Sequence, residues 1–340
     1  MRFLKISLII NFLILGNILL AQDLHFTQYN MSPLTLNPAL TGNYLGSYRV
    51  GGIYRNQWAS IIPAFSTPSF YVDAPIITGF RKNDWIGVGV VVVSDKAGTA
   101  KLGRTAFLGS VAYHLGLNKK ATSVLTLGLQ GGRQNRTVKL QGDGIKLIDE
   151  LESTLPIQST DRNLGQNGLG YFDINGGVTL KSKLNNQMDM VVGFAMNHIN
   201  KPKYAFDQAG SNDQTRLAHR FVGHGEFNVD LNKTWSISPS FLYQTMAGQS
   251  EMALQGMGGY KLKNTKNKIK LNFGLGYRLR DAAEILLGMD YNDIKVGFAW
   301  DANTSGVTSK FNGGYEIAAS YIGKIYKKPK VNTVIFCPRF

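Results

Sequence analysis

Apolar and polar side chains alternate along most of this chain in runs of about ten residues broken by turn residues, the period of a strand with two unlike faces. Ile86, Val88, Val90 and Val92 share one face opposite Gly87 and Gly89. Leu125, Leu127 and Leu129 alternate with Thr126, Gly128 and Gln130. Trp235, Ile237, Phe241 and Tyr243 alternate with Ser236, Ser238, Ser240 and Gln244. Ile269, Leu271, Phe273, Leu275, Tyr277 and Leu279 face away from Lys270, Asn272, Gly274, Gly276, Arg278 and Arg280. The runs Ile294 to Asp301 and Tyr315 to Tyr321 repeat the pattern. Strand and turn signals predict about fourteen strands, near 47–58, 66–76, 84–94, 102–116, 123–138, 170–181, 188–198, 216–231, 234–245, 250–262, 268–280, 283–290, 293–301 and 314–323.

Alternation alone also fits a water-soluble sandwich. Three features favour a membrane barrel. The apolar faces commonly end in Trp or Tyr, where an aromatic girdle lies. The opposite faces are rich in Gly, Ser, Asn and Arg, as a crowded wet lumen requires. Connections alternate short and long, with tight turns at Asn118-Lys119-Lys120, Asn185-Asn186, Asn232-Lys233 and Asn292-Asp293 falling on one end and the long loops 139–169 and 199–215 on the other. The expected fold is all-β: an even-stranded, antiparallel transmembrane β-barrel of the outer membrane, tight turns in the periplasm, with a plug-like N-terminal segment. Loop 139–169 contains Leu147, Leu151 and Leu155 at helical spacing, a capping or docking helix.

Ahead of the first strand, Pro33, Pro38, Asn37-Pro38 and Thr41-Gly42 predict an ordered, compact, non-repetitive segment, because proline fixes φ and removes a backbone donor. Tyr48, Val50, Tyr54 and Trp58 then share one face, with Arg49, Arg55 and Gln57 on the other. Gln28-Tyr29, Ser32-Pro33, Asn37-Pro38-Ala39-Leu40-Thr41-Gly42 and Tyr54-Arg55-Asn56-Gln57-Trp58 resemble, in order and spacing, the signature of the PorP/SprF family, outer-membrane proteins of the type IX secretion system of Bacteroidetes. Cys337-Pro338-Arg339-Phe340 is similar to that family's ending. The resemblance implies a non-enzymatic secretion or gliding component that associates with periplasmic ring proteins or anchors secreted cargo at the surface. It implies a role in shaping the plug and wall for Asn37, Pro38, Ala39, Thr41, Gly42, Tyr54, Arg55, Gln57 and Trp58.

Composition narrows the remaining choices. Met1 to Ala21 has Arg2 and Lys5 followed by a short, interrupted apolar run and polar Gln22-Asp23, the pattern of an export signal cut after Ala21. The domain division is then 1–21 signal peptide, 22–46 plug segment, 47–323 barrel and 324–340 a basic and apolar tail. No later run is long and apolar enough for a membrane helix. The formal charge of +15 comes without a nucleic-acid motif, which points to lipid, cell-wall polymer or an acidic protein partner. The single cysteine excludes an internal disulfide framework.

The candidate chemistry is sparse. Asp143, Asp149, Glu150, Glu152 and Asp161 lack calcium-loop spacing, and a solvated acidic helix explains them. His25, His114, His198, His219 and His224 are scattered, with no nucleophile elbow and no zinc spacing, so no cofactor, metal or catalysis is expected. Lys261, Lys263, Lys266, Lys268 and Lys270 surround one predicted periplasmic turn, either as a solvated rim that keeps the turn out of lipid or as a surface for an acidic partner; Lys261, Lys263, Lys266 and Lys268 with Cys337, Pro338, Arg339 and Phe340 are the candidate partner-binding residues. The rival function is an outer-membrane channel for a small solute, which a continuous apolar lumen path would favour.

Overall fold

The computed structural model describes residues 25–57, 65–78, 81, 83–97, 102–137, 168–203, 216–262, 267–304 and 313–325. Trp58, Lys263, Lys266, Cys337, Pro338, Arg339 and Phe340 lie outside these residues, as do the signal segment and the predicted helix of loop 139–169. Among the described residues there are fourteen strands: β1 Tyr48–Gln57, β2 Phe65–Thr78, β3 Trp85–Ala97, β4 Leu102–Gly116, β5 Ser123–Thr137, β6 Leu169–Lys183, β7 Met188–Asn197, β8 Arg220–Asp230, β9 Trp235–Met246, β10 Gln249–Lys261, β11 Ile269–Arg278, β12 Ala282–Tyr291, β13 Ile294–Asn303 and β14 Gly314–Gly323.

Each strand pairs antiparallel with its sequence neighbours, and β1 closes the ring on β14 in a register running from Tyr48 opposite Gly323 to Gln57 opposite Gly314. Closure is the physical requirement that the sequence pattern implies. Lipid offers no hydrogen bonds, so a strand wall survives there only when every backbone group has a partner and no edge remains. Pro75 sits where the β2–β3 register slips, the kind of irregularity that tolerates a missing donor.

The period-two pattern resolves into an outer and an inner face. Outward lie Phe70, Phe107, Leu127, Leu129, Phe172, Phe273, Leu275 and Ile317, all large, apolar and exposed. Aromatic residues flank this belt at both ends. Tyr48 meets Tyr321 edge-on at 6.0 Å and Trp235 meets Tyr260 at 4.8 Å on the end where β1 begins, while Tyr54 meets Tyr315 at 6.5 Å on the other. An apolar band between two aromatic girdles is the outer surface of a membrane-spanning barrel.

Antiparallel succession puts the turns at 117–122, 184–187, 231–234 and 292–293 on one end, together with Ser47 and Lys324. The opposite end is not uniformly long-looped. Ala247-Gly248 (φ +50 and +83) joins β9 to β10 as a two-residue turn with both φ values positive, and Leu279–Asp281 joins β11 to β12 almost as tightly.

Candidate functional site

The lumen is occupied by the segment ahead of β1. Residues 25–44 touch inward-facing groups on strands all around the ring, so the segment runs across the interior. Tyr29–Met31 and Pro38–Leu40 are 3-10 turns, and α1 is the single helical turn Pro33–Leu36. Pro33 and Pro38 stand at the first positions of their turns, where the missing N–H would have had no partner. The segment predicted as non-repetitive is therefore three short helical turns, the last two begun by the prolines rather than prevented by them.

Three apolar contacts seat it. Phe26 packs with Ile53 and Ala318, Tyr29 and Leu36 with Val222 and Leu242, and Leu34 with Tyr71, Val91 and Leu108. The inner wall is thus partly apolar where the segment covers it, beside the Gly, Ser, Asn and Arg that the sequence places on that face. The physical reason is that segment and wall form an ordinary dry core, each removing the other's apolar surface from water.

Polar anchoring is heaviest near residue 27. Glu316 accepts the N–H groups of Thr27 (2.7 Å) and Gln28 (2.8 Å), one carboxylate oxygen each. Thr27 Oγ1 donates to Asp301 at 2.7 Å. Gln255 Nε2 donates to the Thr27 carbonyl and to Glu284. Arg278 binds Thr27 Oγ1, Glu284 and Asp301 at 2.9–3.0 Å, and Arg55 donates to the His25 carbonyl at 2.5 Å while facing Glu316 at 3.4 Å. These carboxylates and guanidinium groups are nearly inaccessible to solvent. A buried charge of this kind persists only because it is paired and hydrogen-bonded.

The remaining family residues fix the other half of the segment. Asn37 Oδ1 accepts from Ala39 N, while its Nδ2 donates to the carbonyls of Val178 and Phe194 on β6 and β7. Thr41 Oγ1 donates to Ser110, and His114 Nε2 lies 2.8 Å from the Thr41 carbonyl. Gly42 adopts φ +72 and donates to Asp73, and Trp85 Nε1 donates to its carbonyl. Arg49 grips both Asp73 oxygens and the Leu40 carbonyl, and lies over the Tyr44 ring at 4.6 Å. Burial pushes the Tyr44 phenol up, so it stays a donor, here to the Asp73 carbonyl. Replacing Gly42 by alanine puts a side chain at positive φ with its Cβ 2.7 Å from the Gly87 Cα. The expected loss is about 1–2 kcal/mol, read as a lower unfolding temperature of the detergent-extracted barrel.

Of the predicted site residues, Gln28, Tyr29, Ser32, Pro33, Asn37, Pro38, Ala39, Thr41, Gly42 and Arg55 come together inside the barrel. Tyr54 faces outward, and Gln57 ends β1. The lysines divide. Lys261 pairs with Asp230 at 2.6 Å and Lys268 is exposed at the rim, whereas Lys270 points into the lumen. Sequence reasoning missed the inward carboxylates Asp73, Asp173, Glu284, Asp301 and Glu316, and the buried His198–Asp173 pair at 2.9 Å. Asp301 and Glu316 lay on the predicted polar faces, but their partners are about 270–290 positions away in sequence.

A closed wall of antiparallel strands, apolar outside between aromatic belts, with its own N-terminal segment packed against the inner face, defines a membrane β-barrel protein. The chain belongs to the PorP/SprF family, described as "Type IX secretion system membrane protein PorP/SprF", which it matches over residues 18–321. Its structure is similar to the CymD monoaromatic hydrocarbon channel, with a TM-score of 0.50 and 9% identity over 87% of this chain and 94% of that one. It is likewise similar to the Ralstonia pickettii toluene transporter TbuX, with a TM-score of 0.51 and 9% identity over 87% and 94%. At that identity the likeness is one of fold. No curated protein matches the sequence.

Proposed function

We propose that this protein is a non-enzymatic outer-membrane component of the type IX secretion system, linking periplasmic ring components and/or anchoring secreted cargo such as a gliding adhesin at the cell surface. Family membership supports the secretion role. The observation that carries the reading is the anchoring of residues 25–44, which ties both ends of the segment to the wall. A lumen closed in this way is a plug, and it makes the barrel a rigid platform whose ends are its working surfaces. In this reading residues 1–21 are a signal peptide cut after Ala21, 22–46 the plug, 47–323 the barrel and 324–340 the tail, in a protein of Bacteroidetes. The family-signature residues shape plug and wall, and Lys261, Lys263, Lys266 and Lys268 with Cys337, Pro338, Arg339 and Phe340 meet periplasmic partners.

The test is a crosslinked pulldown of the tagged protein from outer membranes, identified by mass spectrometry. Recovery of periplasmic ring proteins supports a core role, and recovery of one large secreted protein supports a dedicated anchor. The second reading, a channel for a small solute, is favoured by the open chamber beside the plug. Neither partner class in the pulldown, with solute flux through the purified barrel in liposomes, would replace the first reading by the second.

A further inference from the structure

Beneath the interior segment the lumen is not filled. Asn30 and Met31 roof a chamber with about 800 Å³ of empty space, partly open to solvent, between β8 and β13. Its mouth lies at the tight-turn end, where the inward residues next to the turns are charged. From β8 to β13 these are Asp230, Lys261, Lys270, Asp290 and Lys295. The row is not balanced. Lys261 and Lys270 stand directly opposite each other across β10 and β11, a like-charge placement that weakens an antiparallel pair unless something offsets it.

The carboxylates of the row do not supply the offset. Asp230 is committed to Lys261 at 2.6 Å. Asp290, in register with Lys270 on one side and Lys295 on the other, accepts instead from Asn272 Nδ2 at 3.2 Å. Neither Lys270 nor Lys295 has an ion pair or hydrogen bond among the described residues. The other carboxylate lining the chamber, Glu226, lies four positions deeper along β8 than Asp230, roughly 13 Å away along the strand. A hydroxyl beside the row is unsatisfied as well. Ser236 is 6% exposed, and its Oγ has no hydrogen-bond partner among the described residues, a costly state for a buried polar atom. Gly259 brings it to Lys270. A Cβ on Gly259 would lie 2.6 Å from Ser236 Oγ and 2.9 Å from Lys270 Nζ, so the missing side chain leaves the niche that both groups share.

We propose that this row binds a phosphate group entering from the tight-turn end, held by the Lys270 and Lys295 ammonium groups with the Ser236 hydroxyl donating. Two strand spacings put Lys270 and Lys295 about 10 Å apart at the backbone, a gap that two lysine side chains close on one group between them. Lysine offers compact, freely turning donors rather than a planar fork. A phosphate carries the charge and the oxygen acceptors to meet two ammonium groups and a hydroxyl together. A carboxylate, with a single charge, offsets only one of the two lysines. Free phosphate and a phospholipid head group present the same chemistry. The inference concerns the lumen of this chain and stands or falls independently of the secretion reading.

The test is the rate at which each lysine of the full-length protein, purified in detergent, reacts with an amine-acylating reagent, read peptide by peptide by mass spectrometry. Inorganic phosphate at about 10 mM, with chloride holding ionic strength constant, is expected to slow Lys270 and Lys295 about tenfold, as a ligand at ten times a dissociation constant of about 1 mM does. Lys119 and Lys233, exposed on other turns at the same end, should react unchanged. Gly259→Ala keeps every charge but puts a methyl group in the niche, so protection should vanish while heat-modifiable gel migration shows a folded barrel. Lys295→Gln, at the exposed mouth, should likewise abolish protection of Lys270, and keeps the test open if the alanine variant does not fold. A short-chain phosphatidylglycerol that protects at lower concentration than inorganic phosphate would support the site with a lipid head group as its ligand, and the reverse order would support it with free phosphate. Equal slowing of all four lysines would show ionic screening alone and overturn the proposal. Unprotected Lys270 and Lys295, protection that survives in both variants, or acetate protecting as well as phosphate would overturn it equally.

Discussion

Replacing Arg278 by alanine is expected to destabilise the folded barrel by about 3–5 kcal/mol, the usual cost of removing one partner from a buried ionic cluster. The Arg278 side chain is 3% exposed and contacts Glu284, Asp301 and Asp281 at 3.0 Å and Glu251 at 3.7 Å. Without it, Glu284 and Asp301 remain inside the wall with Arg55 as the nearer remaining cation, 3.7 Å from Asp301. Thr27 Oγ1 also loses its Arg278 donor, so the damage extends to the interior segment. Lysine at this position should restore only part of the loss, because a point charge cannot reproduce the planar fork that reaches several acceptors at once. The readout is the urea midpoint of the detergent-solubilised protein, followed by the gel shift between folded and unfolded barrel. Arg278→Ala combined with Glu284→Gln should be milder than Arg278→Ala alone, since one uncompensated charge is gone. An Arg278→Ala protein as stable as the parent would show that the cluster is not the anchor described here.

The wall was legible in the sequence because it obeys one local rule. A strand spanning lipid must present apolar residues at every second position, and the runs at Ile86 to Val92 and Ile269 to Leu279 do so without interruption. Ser236, Ser238 and Ser240 were likewise readable as inward positions, and Ser236 and Ser240 are buried. The interior was legible only as composition. Val91 and Val93 read as the continuation of an apolar run, yet they face inward against Leu34, a contact across about sixty positions that no periodicity encodes. The carboxylates failed for a related reason. An inward Glu in a wet lumen and an inward Glu receiving two backbone N–H groups, as Glu316 does, look the same in sequence. What tells them apart is the approach of Thr27 and Gln28, which stand 289 and 288 positions away in sequence.

The second large effect is expected at Gly128, on the row of small inward residues against which residues 37–42 lie. Ala112, Gly128, Gly177 and Ala195 pair in register across β4 to β7. A Cβ at Gly128 would stand 2.3 Å from Ala39 N and 2.4 Å from Pro38 C. A Cβ at Gly177 would stand 2.0 Å from Asn37 Oδ1, and one at Gly87 would stand 2.3 Å from the Thr41 carbonyl oxygen. The atoms facing Gly128 are backbone, so no rotamer change relieves the clash. Leucine there must displace either the segment or β5, and β5 is held by full ladders on both sides, so the segment yields. Overpacking of this kind costs about 1–3 kcal/mol or more, a several-fold to hundredfold rise in the fraction of molecules with the segment released. Chymotrypsin reads that fraction, because Tyr29, Leu34 and Leu36 are buried in the parent and become substrates once released, at a rate that follows the open population. Gly256→Leu is the control, since a Cβ at Gly256 meets nothing within 4 Å; that variant should resist the protease as the parent does. Gly128→Leu should be cut within the segment while its barrel still migrates as folded, and should gain ion conductance in planar bilayers. Resistance equal to the parent's would mean that the row of small residues is not what seats the segment, and that the ionic anchors at Thr27 and Gln28 hold it without help from the wall.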